Sequence, residues 1–103
     1  WCLVTMPHEM FCQYELWIDE QAPFKRTMTF AFTNGYQGYI AVDQALTLGA
    51  RGGYEAGRLP NWGGQVHTEH LGPPAVGTEK IIKETLASLW LWDAEKSLKE
   101  EPE

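Results

Sequence analysis

The amino-acid sequence predicts a mixed α/β fold that runs strand, helix, strand, loop, helix, and three observations carry that expectation. Leu3-Val4-Thr5 and the run Thr27 to Thr33 are rich in β-branched and apolar residues, and the second alternates at the period of two that marks a half-buried strand. Two other segments, starting near His8 and near Thr78, space their apolar residues three and four apart, as helices do. The stretch from Gly49 to Gly77 holds eight of the ten glycines, which predicts irregular loop.

Taken in order, Trp1 to Met6 reads as a short buried strand stopped by Pro7. A helix is expected from His8 to about Asp19, with Met10, Phe11, Tyr14, Leu16 and Trp17 as its apolar set and Gln13, Glu15 and Asp19 between them. Gln21-Ala22-Pro23 ends it, because the residue before a proline is pushed out of the α region. The strand from Thr27 turns at Asn34-Gly35, and a second extended piece, Tyr39 to Val42, leads to Asp43. That carboxylate is expected to cap a helical turn through Ala45, Leu46 and Leu48. Thr78 is expected to cap a final helix that buries Ile81, Ile82, Thr85, Leu86, Leu89, Trp90 and Asp93 on one face, before a charged, solvent-exposed tail at 95–103.

The 103 residues, 44% hydrophobic and 13% aromatic, suffice for one small core. Five tryptophans are a heavy apolar load at this size, so part of that surface is expected to lie against further polypeptide or a partner. Eight Lys and Arg stand against fourteen Asp and Glu, for a net charge of −6. Nucleic-acid binding is therefore not expected, since neutralising phosphates needs clustered cations. No apolar run reaches the roughly 18 residues of a membrane-spanning helix, and the longest patch, Leu86 to Trp92, carries Ser88. Trp1-Cys2-Leu3-Val4 shows no targeting signal. Cys2 and Cys12 are too few for a disulfide framework or zinc ribbon and are expected as partly buried thiols.

Three clusters are candidates for chemistry. Pro7-His8-Glu9 puts a carboxylate in the first turn of the expected helix, where the helix dipole alone favours one but from which a ligand is also rigidly aimed. Asn34-Gly35-Tyr36-Gln37-Gly38-Tyr39-Ile40 has two tyrosines three apart and two glycines that permit close backbone approach; packing around a tight turn is the structural alternative. Gly52-Gly53-Tyr54-Glu55-Ala56 is another glycine-rich approach to a phenol and a carboxylate. His67 and His70 are three apart but fall in the expected loop, where that spacing does not impose a shared metal.

In their order and spacing these motifs resemble the C-terminal section of the neutral/alkaline ceramidase catalytic domain and its bacterial relatives. That family has a strand ending Pro-x-Glu, a helix, a strand ending Asn-x-Tyr-x-x-Tyr-Ile/Val, a Tyr-Glu-Ala triplet, a Gly-Pro pair and a last helix. Here Pro7-His8-Glu9, Asn34 to Ile40, Tyr54-Glu55-Ala56, Gly72-Pro73 and the helix from Thr78 fall in that sequence, over residues 1–94. The resemblance implies a fragment of a larger zinc amidohydrolase domain, with Glu9 and Tyr39 as zinc ligands and Tyr54 holding the substrate carbonyl. It further implies zinc in the complete domain, two histidine ligands in an upstream part of the same domain, a lipid amide substrate and an extracellular or periplasmic location. His8 stands where the family commonly has a small residue. The competing expectation is a non-catalytic interaction module that docks through a Trp-rich surface and the C-terminal amphipathic helix.

Overall fold

A computed structural model describes residues 1–36, 38–48, 51–53, 55–56 and 74–100, with side chains as far as residue 91. Among the described residues the elements are β1 (Cys2–Thr5), β2 (Glu9–Met10), α1 (Cys12–Gln21), β3 (Thr27–Phe30), β4 (Tyr39–Ile40), α2 (Asp43–Thr47) and α3 (Thr78–Glu100). The chain is a small mixed α/β domain of short parallel strands and helices, as expected from its sequence.

β1 pairs with β3 in parallel, Cys2 opposite Thr27 through Thr5 opposite Phe30. Parallel strands cannot be joined by a tight hairpin, and α1 is the crossover between them. The ladder continues past both strands: Met6 N–H donates to the Phe30 carbonyl at 2.8 Å, and Thr33 N–H to the Met6 carbonyl at 3.1 Å. Further along the chain, β4 pairs in parallel with β2. The two small sheets thus form one interrupted ribbon.

The helix expected from His8 begins instead at Cys12. His8 sits at φ +70, outside the helical region, and the following amides turn to the partner strand. His8 N–H donates to the Gly35 carbonyl at 2.9 Å, Glu9 N–H to Gly38 at 3.0 Å and Phe11 N–H to Ile40 at 3.2 Å. With these groups committed to the ladder, Glu9 lies on a strand rather than in a helical first turn. The other end agrees with the proline argument: α1 stops at Gln21 and Ala22 is extended, at ψ 130.

Val4, Met6, Tyr14, Ile18, Val42 and Trp90 form the main buried cluster. Trp17 stacks on Trp90 with ring centroids 5.7 Å apart, and the Lys83 ammonium lies 5.5 Å from the Trp17 centroid. Two of the five tryptophans are therefore spent on joining α1 to α3 and are not offered to a partner. Among the described side chains of α3, Ile82, Leu86 and Trp90 reach this cluster, while Ile81 and Leu89 are exposed. The broader face expected from sequence splits because neighbouring residues are about 100° apart around a helix, and one contact covers a single stripe. None of the described helices is long and apolar enough to cross a membrane.

Candidate metal centre

Glu9 and Tyr39 are direct register partners in the β2–β4 ladder, and Met10 and Ile40 are the next pair. Side chains alternate along a strand, and those at matched positions of paired strands leave the same face. Met10 and Ile40 pack on the main core. Glu9 and Tyr39 consequently share the opposite face, both half-buried.

Adjacent strands lie about 4.8 Å apart, and zinc binds oxygen at about 2.0–2.2 Å. A carboxylate and a phenol leaving neighbouring strands on one face can therefore reach a common ion. Such a pair fits part of a four-coordinate zinc shell, with further donors needed to complete it. Among the described residues no group of three or more His, Cys, Asp or Glu is arranged to hold a metal.

The local backbone explains why these two meet. Gly38, buried and at φ +127, precedes Tyr39 and brings the returning chain flat against β2. Gly35, at φ +151, packs beside Pro7, where an added Cβ would lie 3.8 Å from the proline Cβ. The chain after β3 is held by the Phe32–Tyr36 ring stack, at 5.4 Å, and by the bond from Phe32 N–H to the His8 carbonyl at 2.9 Å. The motif's first tyrosine, Tyr36, thus packs on Phe32 and its second enters the ladder.

Tyr54, assigned by resemblance to the substrate carbonyl, lies outside the described residues, as do His67, His70 and Gly72-Pro73. Ala56 is fully buried with Ala41 and Leu46, and Ala41 is two residues beyond Tyr39. Ala56 is therefore tied to the end of the strand that presents Tyr39.

A second polar arrangement was not legible in the sequence. Asp43 was expected to cap α2, but the cap residue is Val42, with no side-chain bond. The Asp43 carboxylate instead accepts the Gly77 N–H, with both oxygens at 3.0 Å. Asp43 N–H in turn donates to Glu79 Oε2 at 2.7 Å, and Lys83 donates to Glu79 Oε1 at 2.6 Å. The hydrogen bond from Lys83 is the main cause that holds the Glu79 carboxyl below its ordinary range. Close by, the buried Tyr14 hydroxyl donates to the Ala41 carbonyl at 3.1 Å. Burial, and then the charges of Glu79 and Asp43, push the Tyr14 phenol far above its usual value. This arrangement is structural, because each member is occupied in fastening α2, α3 and the ribbon together.

No family model, curated protein or solved structure matches the chain.

Proposed function

We propose that this chain is the C-terminal part of a zinc-dependent amide hydrolase domain of the neutral ceramidase type, acting on an N-acyl amide such as a lipid amide. The register of Glu9 with Tyr39 carries the reading. The motif resemblance gives both residues to the metal, and the ladder sets them on neighbouring strands and on one face. A second support comes from His8, whose φ of +70 is a conformation glycine adopts without steric cost. That is a physical reason for the small residue common at this position in the family.

When bound, zinc with an open position supplies a water whose pKa is lowered to about 7, the nucleophile for amide hydrolysis. Glu9 brings negative charge to the ion. Tyr39 brings a second oxygen donor, held in place by the ladder hydrogen bonds on either side of it. Tyr54 is assigned the hydrogen bond to the substrate carbonyl as negative charge develops there. Two metal donors do not make a catalytic site, so the chain is inactive alone and works with the upstream part of the same domain, outside the cell or in the periplasm.

The test is zinc titration of the 103-residue chain followed by NMR. Weak binding that shifts the Glu9 and Tyr39 signals, and that disappears in both Glu9→Gln and Tyr39→Phe, is the expected result. A tight stoichiometric complex, or a response that survives both substitutions, would refute the reading.

A further inference from the structure

Among the described residues α3 joins the rest of the fold through two contacts of different chemistry. One is apolar: Ile82, Leu86 and Trp90 reach the main core, and Trp90 stacks on Trp17. The other is the polar exchange at the helix's N-terminal end. There Glu79 accepts the Asp43 N–H at 2.7 Å and the Lys83 ammonium at 2.6 Å, and both Asp43 oxygens accept the Gly77 N–H at 3.0 Å. From α1, the buried Tyr14 hydroxyl faces the same two carboxylates. The ribbon and α1 are held differently. β1 and β3 pair through their backbones, and Val4, Met6 and Ile18 are buried apolar side chains. The acids of α1, Glu15, Asp19 and Glu20, are exposed, and exposed charges contribute little to stability.

We propose that this exchange is an acid-opened latch: protonation of Glu79 and Asp43 releases α3 from α1 and α2 as a unit, while the β1–β3 ladder and α1 stay folded. Ionised carboxylates accept hydrogen bonds about twice as strong as neutral groups do, so each proton taken up weakens a bond that spans the two helices. Neutral Glu79 also leaves the half-buried Lys83 ammonium without its counter-ion, beside the Trp17 ring at 5.5 Å. A sheltered charge that loses its partner destabilises its surroundings. The same event removes negative charge from the N-terminal end of α3, where the helix dipole favours it. What then remains of the joint is one stripe of three apolar side chains, and elements held by few such contacts open at less free energy than the whole fold. The hydrogen bond from Lys83 holds the Glu79 carboxyl below its ordinary range. The latch is therefore closed above about pH 4.5, the unfolded value, and opens as the pH falls through the lower, folded one. Opening bares the ring faces that Trp17 and Trp90 now hide in their stack. None of the latch's bonds involves Glu9 or Tyr39, so it stands apart from the hydrolase reading.

The test is an acid titration of the 103-residue chain, from about pH 7 to about pH 3, with two reporters. Near-ultraviolet dichroism follows the Trp17–Trp90 pair, and NMR hydrogen exchange follows the Met6 amide, which donates to Phe30 in the ladder. Loss of the tryptophan signal below about pH 4.5, with the Met6 amide still protected, is the expected result. Loss of both in one transition overturns the proposal, and so does a tryptophan signal that persists to the end of the titration. Two variants locate the trigger. Lys83→Met keeps an aliphatic stem near Trp17 and removes the charge, so the tryptophan midpoint should move up in pH; an unmoved midpoint refutes the latch. Glu84→Gln alters the exposed pair that Glu84 makes with Lys80 at 3.7 Å and should leave the midpoint in place. A shift as large as that of Lys83→Met would assign the transition to overall charge and count equally against the latch.

Discussion

Glu79, near the start of α3, accepts the backbone N–H of Asp43, the first residue of α2, at 2.7 Å. Asp43 answers by accepting the N–H of Gly77, just before α3. Each carboxylate thus satisfies an orphan donor at the other helix's N-terminus, where the helix dipole also favours negative charge. The exchange spans more than thirty residues and fixes where α3 enters the fold.

Removing a capping side chain typically costs about 1 kcal/mol. Asp43→Ala is accordingly expected to destabilise the domain by about 1–2 kcal/mol in urea denaturation, and Asp43→Asn by less. An Asp43→Ala midpoint within error of the parent would show that the bond is not made in solution.

The Glu79 carboxyl titrates below its ordinary value, so its contribution to stability is present above about pH 4.5, the unfolded value. As the pH falls through the lower, folded value, the unfolded state takes up the proton first and the contribution is lost. Glu79→Gln should therefore flatten the acid limb of a stability-against-pH curve while leaving its slope near neutrality unchanged. Chemical denaturation at a series of pH values reads this directly.

Tyr14 behaves in the opposite sense. Its folded-state pKa is raised, so its contribution is intact below about pH 10 and is lost above it, where the unfolded phenol ionises while the folded one keeps its proton. Tyr14→Phe is expected to remove this alkaline limb. At neutral pH it also leaves the Ala41 carbonyl without the hydroxyl, at a cost of about 1–2 kcal/mol. Spectrophotometric titration of phenolate formation checks the first effect and denaturant midpoints check the second.

Gly77 adopts φ +100, with open space around an added Cβ. Gly77→Ala thus isolates backbone strain from crowding. A loss of roughly 1–2 kcal/mol is expected from the left-handed conformation, and equal stability of the two proteins would count against the turn.

The Trp17–Trp90 stack is the main aromatic link between α1 and α3. Trp90→Ala should cost about 3–5 kcal/mol and abolish the near-ultraviolet dichroism of the pair. Trp90→Phe should cost less, because a ring remains to fill the site.

The element types and several boundaries were legible because they rest on local rules. Pro7 and Pro23 bound β1 and α1 by restricting their neighbours, and the alternation from Thr27 is a local period. The start of α1 was misread because the apolar spacing through Met10, Phe11 and Tyr14 suits a helix, while the N–H groups of His8, Glu9 and Phe11 donate to the carbonyls of Gly35, Gly38 and Ile40. The capping partner of Asp43 was invisible for the same reason. A carboxylate finds its nearest donor in space, and here that is Gly77.

By itself the sequence determined the mixed α/β class, the amphipathic helices and the presence of a carboxylate and a phenol in short glycine-flanked motifs, because composition and period act within a few residues. Only the tertiary structure decided that Glu9 faces Tyr39, that Thr27 and Thr29 turn inward while Met28 and Phe30 turn out, and that α3 is clasped by α2. Those outcomes depend on the register of a parallel ladder. A slip of one residue reverses every side chain's face, and residues far apart in the chain set that register by competing for the same hydrogen bonds.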